Sequence, residues 1–139
     1  MSPHGRRFDQ PFDRILIQDL RLSCIVGVRE RERTNPQEVV VNLVLYCDLR
    51  EAGRSDRLED TVDYSALTRR IETLVEGSSF GLIEALAGAI GAACLEDPEV
   101  QAVTVRVDKP GALPRARSAA VEIHRDREDL RPSMGFAPG

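Results

Sequence analysis

Apolar and polar side chains alternate over residues 15–26 and again over 38–49, the period-two pattern of strands that bury one face. In the first stretch Ile15, Ile17 and Asp19 oppose Leu16, Gln18 and Leu20, and Leu22, Cys24 and Val26 continue one face. In the second, Val39, Val41, Leu43, Leu45, Cys47 and Leu49 line one side and Val40, Asn42, Val44, Tyr46 and Asp48 the other. That other side is itself half apolar, which predicts partial cover. The period changes over 64–76, where Leu67, Ile71, Leu74 and Val75 fall at helical spacing behind Asp63, a good N-cap. Gly77, Ser78 and Ser79 break that helix. A second is expected over 82–96, with Ile83, Leu86, Ala87, Ile90 and Cys94 on one stripe and Pro98 beyond its end. Its many Ala and Gly residues allow close approach to a neighbour at some cost in helicity. Strands follow over 100–107 and 118–125, joined through a Lys109-Pro110-Gly111-Ala112 turn.

The order ββααββ predicts an α+β domain, a four-stranded antiparallel sheet with two helices on one face. The domain is expected to span 14–126, between flexible tails at 1–13 and 127–139. Strands one and two are joined by 27–37, longer than the two to five residues of most hairpin loops (about that range) and dense in Arg and Glu.

Charge and composition narrow the function. Among 139 residues, 23 acidic and 19 basic side chains leave a net charge of −4, against a nucleic-acid partner. No apolar run approaches the ~20 residues of a membrane helix, and residues 1–13 do not read as an apolar leader. Three cysteines, at 24, 47 and 94, form no C-x-x-C pair and no even set, which predicts a reducing, cytoplasmic setting. With two histidines, His4 and His124, one chain cannot build a three-histidine zinc site, and neither metal nor cofactor is expected. Lys109 is the one lysine among the 19 basic residues. Arginine stays protonated at any working pH, whereas lysine can give up its proton.

Four stretches carry candidate chemistry: Glu32 in the long loop, Asp60-Thr61-Val62-Asp63-Tyr64 at the first helix, Leu82-Ile83-Glu84 at the second, and Lys109 at a strand end. Each has a plainer role open to it. Glu32 can be solvated surface, Tyr64 a packed aromatic, Glu84 a carboxylate at the positive end of a helix dipole, and Lys109 a solubilising strand end.

In register, however, Ile25-Val26-Gly27-Val28, Glu32 with Gln37, Asp60 to Tyr64, Leu82-Ile83-Glu84-Ala85-Leu86-Ala87 and Lys109-Pro110-Gly111-Ala112 resemble the dihydroneopterin aldolases of the folate pathway. The resemblance runs from about residue 15 to 125. It implies the tunnelling fold, a barrel-forming homo-oligomer (tetramer or octamer) with active sites between subunits and a pterin as substrate. It further implies that Glu84 anchors the pterin edge, that the backbone at Ile83 helps hold the ring, and that Glu32 touches the substrate side chain. Tyr64 would be a proton carrier lent by the adjacent subunit, and Lys109 the acid–base group. The charged loop is equally similar to that of dihydroneopterin triphosphate 2′-epimerases, for which Arg29, Arg31 and Arg33 would supply cations. A non-catalytic pterin-binding ring is the alternative of another class.

Overall fold

The structure, a computed structural model, describes residues 13–130; His4 and most of the expected tails at 1–13 and 127–139 lie outside them. Its elements are β1 (Asp13–Cys24), α1 (Glu30–Arg33), β2 (Gln37–Cys47), α2 (Arg50–Ser55), α3 (Tyr64–Glu76), α4 (Ile83–Leu95), β3 (Ala102–Pro110) and β4 (Ser118–Asp126). The strands form one sheet in the order β1-β2-β3-β4, every neighbouring pair antiparallel. The two long helices and the two outer hairpins match the sequence pattern. The short elements do not: α1, α2 and the 3-10 turn Leu58–Asp60 contain no buried residue, so no apolar period announces them.

Both long helices lie on one face of the sheet. Val39, Val41, Leu43, Leu45 and Cys47 of β2 are at most 1% exposed beneath them, with Leu67, Ile71 and Val75 of α3 and Leu86, Ile90 and Cys94 of α4 as partners. Removing such side chains from water stabilises the fold by about 1.5–3 kcal/mol for each large one. At Gly91 an added methyl would already touch Val105 Cγ2 at 3.6 Å, so α4 rests directly on β3, which explains its small residues.

Three expectations need correction. Asp19 does not share a face with Ile15 and Ile17. A bulge between Ile17 and Leu20 places three residues of β1 opposite two of β2, and Asp19 adopts φ 57° while bonding Asn42 through its backbone N–H (2.9 Å). The extra residue moves the inward positions from odd to even, so Leu20, Leu22 and Cys24 continue the face of Ile17. Lys109 and Pro110 pair with Ala119 and Ser118, so they end β3, and the turn begins at Gly111, at φ 78°. Finally, the segment after 126 opens with a 3-10 turn, Arg127–Leu130. Arg127 donates to the carbonyls of Leu95 (2.9 Å), Asp97 (2.7 Å) and Val100 (2.6 Å), a cation capping the C-terminal end of α4.

Candidate active site

Alternation along β3 turns Lys109 toward the helix-bearing face, in line with Val105 and Val107, while Asp108 faces the other way with Arg106. The Lys109 ammonium donates to Glu32 Oε2 at 2.7 Å, and the two side chains are only 13% and 18% exposed. Glu32 is presented by α1, the helical turn within the charged loop. Its second oxygen accepts the Arg29 backbone N–H at 3.1 Å. The Lys109 hydrogen bond first, and that backbone N–H second, hold the Glu32 carboxyl below the usual carboxylate range. This residue is therefore an anion with both oxygens engaged.

Gly27 makes the arrangement possible. The Glu32 carboxylate occupies the place where a Cβ on residue 27 would sit, and Gly27 has φ 134° besides, a conformation L side chains rarely adopt. Gln37 Nε2 donates to the Val26 carbonyl at 2.9 Å and ties the end of the loop to its start.

Arg33 was expected to add charge to a pocket; instead its guanidinium is committed to backbone. It donates to the carbonyls of Gly27 (3.0 Å), Phe80 (3.1 Å) and Ser79 (2.6 Å), and the Gly27 N–H also reaches the Phe80 carbonyl at 3.2 Å. The charged loop is thus joined to the segment that enters α4, where Ile83 is half-buried against the core and Glu84 stands exposed in the first turn. Among the described residues, no hydrogen bond or ion pair is recorded for the Glu84 carboxylate. Leu82, just before it, and Val28 in the loop are exposed apolar groups at this edge, 55% and 70% accessible.

Tyr64 stands apart. It opens α3 behind Asp63, whose carboxylate accepts the Ala66 N–H at 3.0 Å, and its ring is 57% exposed. Among the described residues, no recorded side-chain contact joins it to Glu32, Lys109 or Glu84. The structure therefore pairs Glu32 with Lys109, tethers the approach to Ile83 and Glu84 to the same loop, and leaves Tyr64 outside. Arg117, eight residues beyond Lys109 in sequence, lines the opposite face of the sheet with Arg106, Asp108 and Ser118. The charged neighbour that Lys109 does have is an anion.

Sequence reasoning named Gly27 only as part of a motif and gave Arg33 a role the structure does not bear out. The glycine before a long loop was a usable signal; the three carbonyl partners of Arg33 follow no spacing and had none. Nor do the described residues hold any group of three or more His, Cys, Asp or Glu placed to bind a metal ion. No helix among them is long and apolar enough to cross a membrane.

Comparison with known proteins agrees with this architecture. A dihydroneopterin aldolase of Methylorubrum extorquens is 39% identical, over 84% of this chain and 92% of its own. A dihydroneopterin triphosphate 2′-epimerase of Pseudomonas aeruginosa is 32% identical, over 84% and 95% respectively. The folic acid synthesis protein FOL1 of Dictyostelium discoideum is 36% identical over 81% of this chain, which spans only 17% of that longer protein. Among solved structures, E. coli dihydroneopterin aldolase in complex with neopterin superposes with a TM-score of 0.79 at 30% identity, covering 82% of this chain and 99% of the other. Residues 15–124 match the family described as FolB, dihydroneopterin aldolase, and the chain belongs to that family.

Proposed function

We propose that this protein is a 7,8-dihydroneopterin aldolase, cleaving its substrate to 6-hydroxymethyl-7,8-dihydropterin and glycolaldehyde in folate synthesis. The observation that carries this reading is the Lys109–Glu32 pair, a chain's one lysine held at 2.7 Å from a carboxylate in a largely water-excluded corner. Loss of the proton on the substrate's 2′ hydroxyl lets the bond between its first and second side-chain carbons break. The electron pair flows into the carbon–nitrogen double bond of the ring, and a proton delivered to the first carbon completes the product. The pterin is its own electron sink, so the protein need supply only a grip, a base and a proton donor.

Glu84, exposed and with no recorded partner among the described residues, is suited to accept two N–H bonds from the guanidine-like edge of a pterin, with the backbone near Ile83 beside it. Glu32 reaches the hydroxylated side chain, and Lys109 moves the proton at that end. Tyr64 completes the site from a neighbouring subunit. Its exposure supports this, as does the uncovered sheet face, where Leu16 is 50% exposed. The working form is thus a homo-oligomer, tetramer or octamer, in the cytoplasm. A 2′-epimerase would use the same intermediate and re-form the bond with opposite configuration; the Pseudomonas relative and the Arg-rich loop favour keeping it as the second reading. A non-catalytic ring would have no use for Lys109.

Incubation with 7,8-dihydroneopterin, followed by chromatography, tests this directly. Hydroxymethyl-dihydropterin with an equal amount of glycolaldehyde is expected. Recovery of the 2′ epimer alone replaces the aldolase by the epimerase, and unchanged substrate bound to the protein leaves the ring scaffold.

A further inference from the structure

Two arginines, at opposite ends of α4, each donate to three backbone carbonyls. Arg127 holds those of Leu95, Asp97 and Val100 at the C-terminal end. Arg33 holds those of Gly27, Ser79 and Phe80 at the approach to the N-terminal end. That approach has little else to define it. Residues 78–82 carry no regular secondary structure, and Leu82, the N-cap of α4, makes no side-chain capping bond. Among the described residues, every recorded hydrogen bond of residues 79–81 runs to the charged loop: two from the Arg33 guanidinium and one from the Gly27 N–H. Val28 of the same loop lies against Gly81, where an added methyl would meet its Cγ1 at 3.4 Å. The short turn α1 therefore serves both ends of the site. Side chains one position apart on a helical turn do not share a face. Glu32 goes to Lys109 (2.7 Å), and Arg33 goes to the backbone that leads to Glu84 (2.6 Å to the Ser79 carbonyl).

We infer that Arg33 is a positioning residue: it fixes the span between Glu84, which holds the pterin ring, and the Lys109–Glu32 pair, where the side chain reacts. The inference rests on the pterin reading of the site. Proton transfer needs heavy atoms about 2.6–3.2 Å apart, and a displacement of about 1 Å costs about 100-fold in rate. A ring anchored on an untethered helix start brings its 2′ hydroxyl to Lys109 only part of the time. A ligand that touches the anchor alone is indifferent to the tether.

The test sets Arg33→Met beside Arg127→Met, whose site lies about 20 Å away along the 13 residues of α4. Turnover of 7,8-dihydroneopterin, melting temperature and affinity for 6-hydroxymethylpterin, an oxidised pterin with a single side-chain carbon, are measured for each. Both variants should melt a few degrees lower. Arg33→Met should lose at least about tenfold in kcat with 6-hydroxymethylpterin affinity within about twofold of wild type, while Arg127→Met keeps its kcat. In a Glu84→Ala background the ring is no longer held, so Arg33→Met should cost only about two- to threefold in kcat/KM. Should Arg33→Met fail to fold, Arg33→Lys, which keeps the charge but not the fork, should show the same split at smaller size. An unchanged kcat, an equal loss in Arg127→Met, or an undiminished cost without Glu84 overturns the positioning role and leaves the pterin reading intact. If the wild type neither turns over dihydroneopterin nor binds 6-hydroxymethylpterin, the pterin reading falls and the inference with it.

Discussion

Asp108 and Lys109 are consecutive in β3, yet their charges go to opposite faces of the sheet and serve different ends. Asp108, 6% exposed, accepts from Arg106 Nε (2.8 Å), its neighbour on the same face two residues away, and from Ser118 Oγ (2.8 Å) across the hairpin. Lys109 reaches a carboxylate 77 residues distant, carried on a loop that Gly27 and Arg33 hold in place. Asp108, held by Arg106 on its own strand, ties β3 to β4 through Ser118 just before the turn. The Lys109–Glu32 pair faces the edge where α4 begins. A local ion pair fixes a hairpin; a long-range one assembles a site.

The sharpest break in that contrast is to change each member in turn. Lys109→Arg keeps the positive charge and the partner but removes the group able to shed a proton. Turnover should fall by about 10²–10⁴-fold while the melting temperature and neopterin affinity hold. An active Lys109→Arg enzyme would take the lysine out of the chemistry. Next in size, Glu84→Ala should weaken neopterin binding by about 10–100-fold, the value of a charged two-pronged hydrogen bond, with little change in kcat. Unchanged affinity would end its role as anchor.

On the other face, Asp108→Asn should leave kcat/KM close to wild type and cost about 1–2 kcal/mol of stability, discounted because Arg106 is half exposed. That reads as a fall of a few degrees in melting temperature. The pH dependence sharpens the point. The Arg106 hydrogen bond, and to a lesser extent that of Ser118, hold the Asp108 carboxyl below its usual range, as Lys109 does for Glu32. Groups depressed in the folded state stabilise it at every pH above their unfolded values, about 3.9 and 4.3. The contribution is lost as pH falls through the folded values. Thermal stability should therefore stay flat from neutrality to about pH 5 and drop below about pH 4, with a shallower acid slope in Asp108→Asn. An identical slope would mean that Asp108 is no stabiliser.

The same contrast explains what could be read in advance. Arg106, Asp108 and the apolar positions of β2 obey a two-residue period, so strand faces and the helix-covered core were legible, as was Asp63 as the cap of α3. The bulge at Asp19 escaped because its signal is a change of phase, visible only as odd apolar positions giving way to even ones. The residue types of the site were legible through the motifs that hold them. Their geometry was not: nothing within residues 27–37 states that Glu32 turns inward while Arg33, one position on, ties down Ser79 and Phe80. Tyr64 was legible as the start of α3, and among the described residues no recorded contact joins its ring to the pair.

The smallest effect expected concerns Cys24, which reports on Lys109 from within the core. All three thiols are buried, and burial pushes Cys94 up to about 12 and Cys47 up to about 11, so neither should react with a thiol reagent while folded. Burial raises Cys24 as well, but a hydrogen bond with Ser78 and the charge of Lys109 pull it the other way. In native protein at pH 8, Cys24 should label slowly, ahead of the other two, and all three should label at once in denaturant. Lys109→Met removes the nearby cation and should slow Cys24 alone, by a few-fold at most. If Cys24 labels no faster than Cys94 in the wild type, or is indifferent to residue 109, then the Lys109 charge does not reach this side of the core. The lysine would then act only toward Glu32 and the open edge beside it.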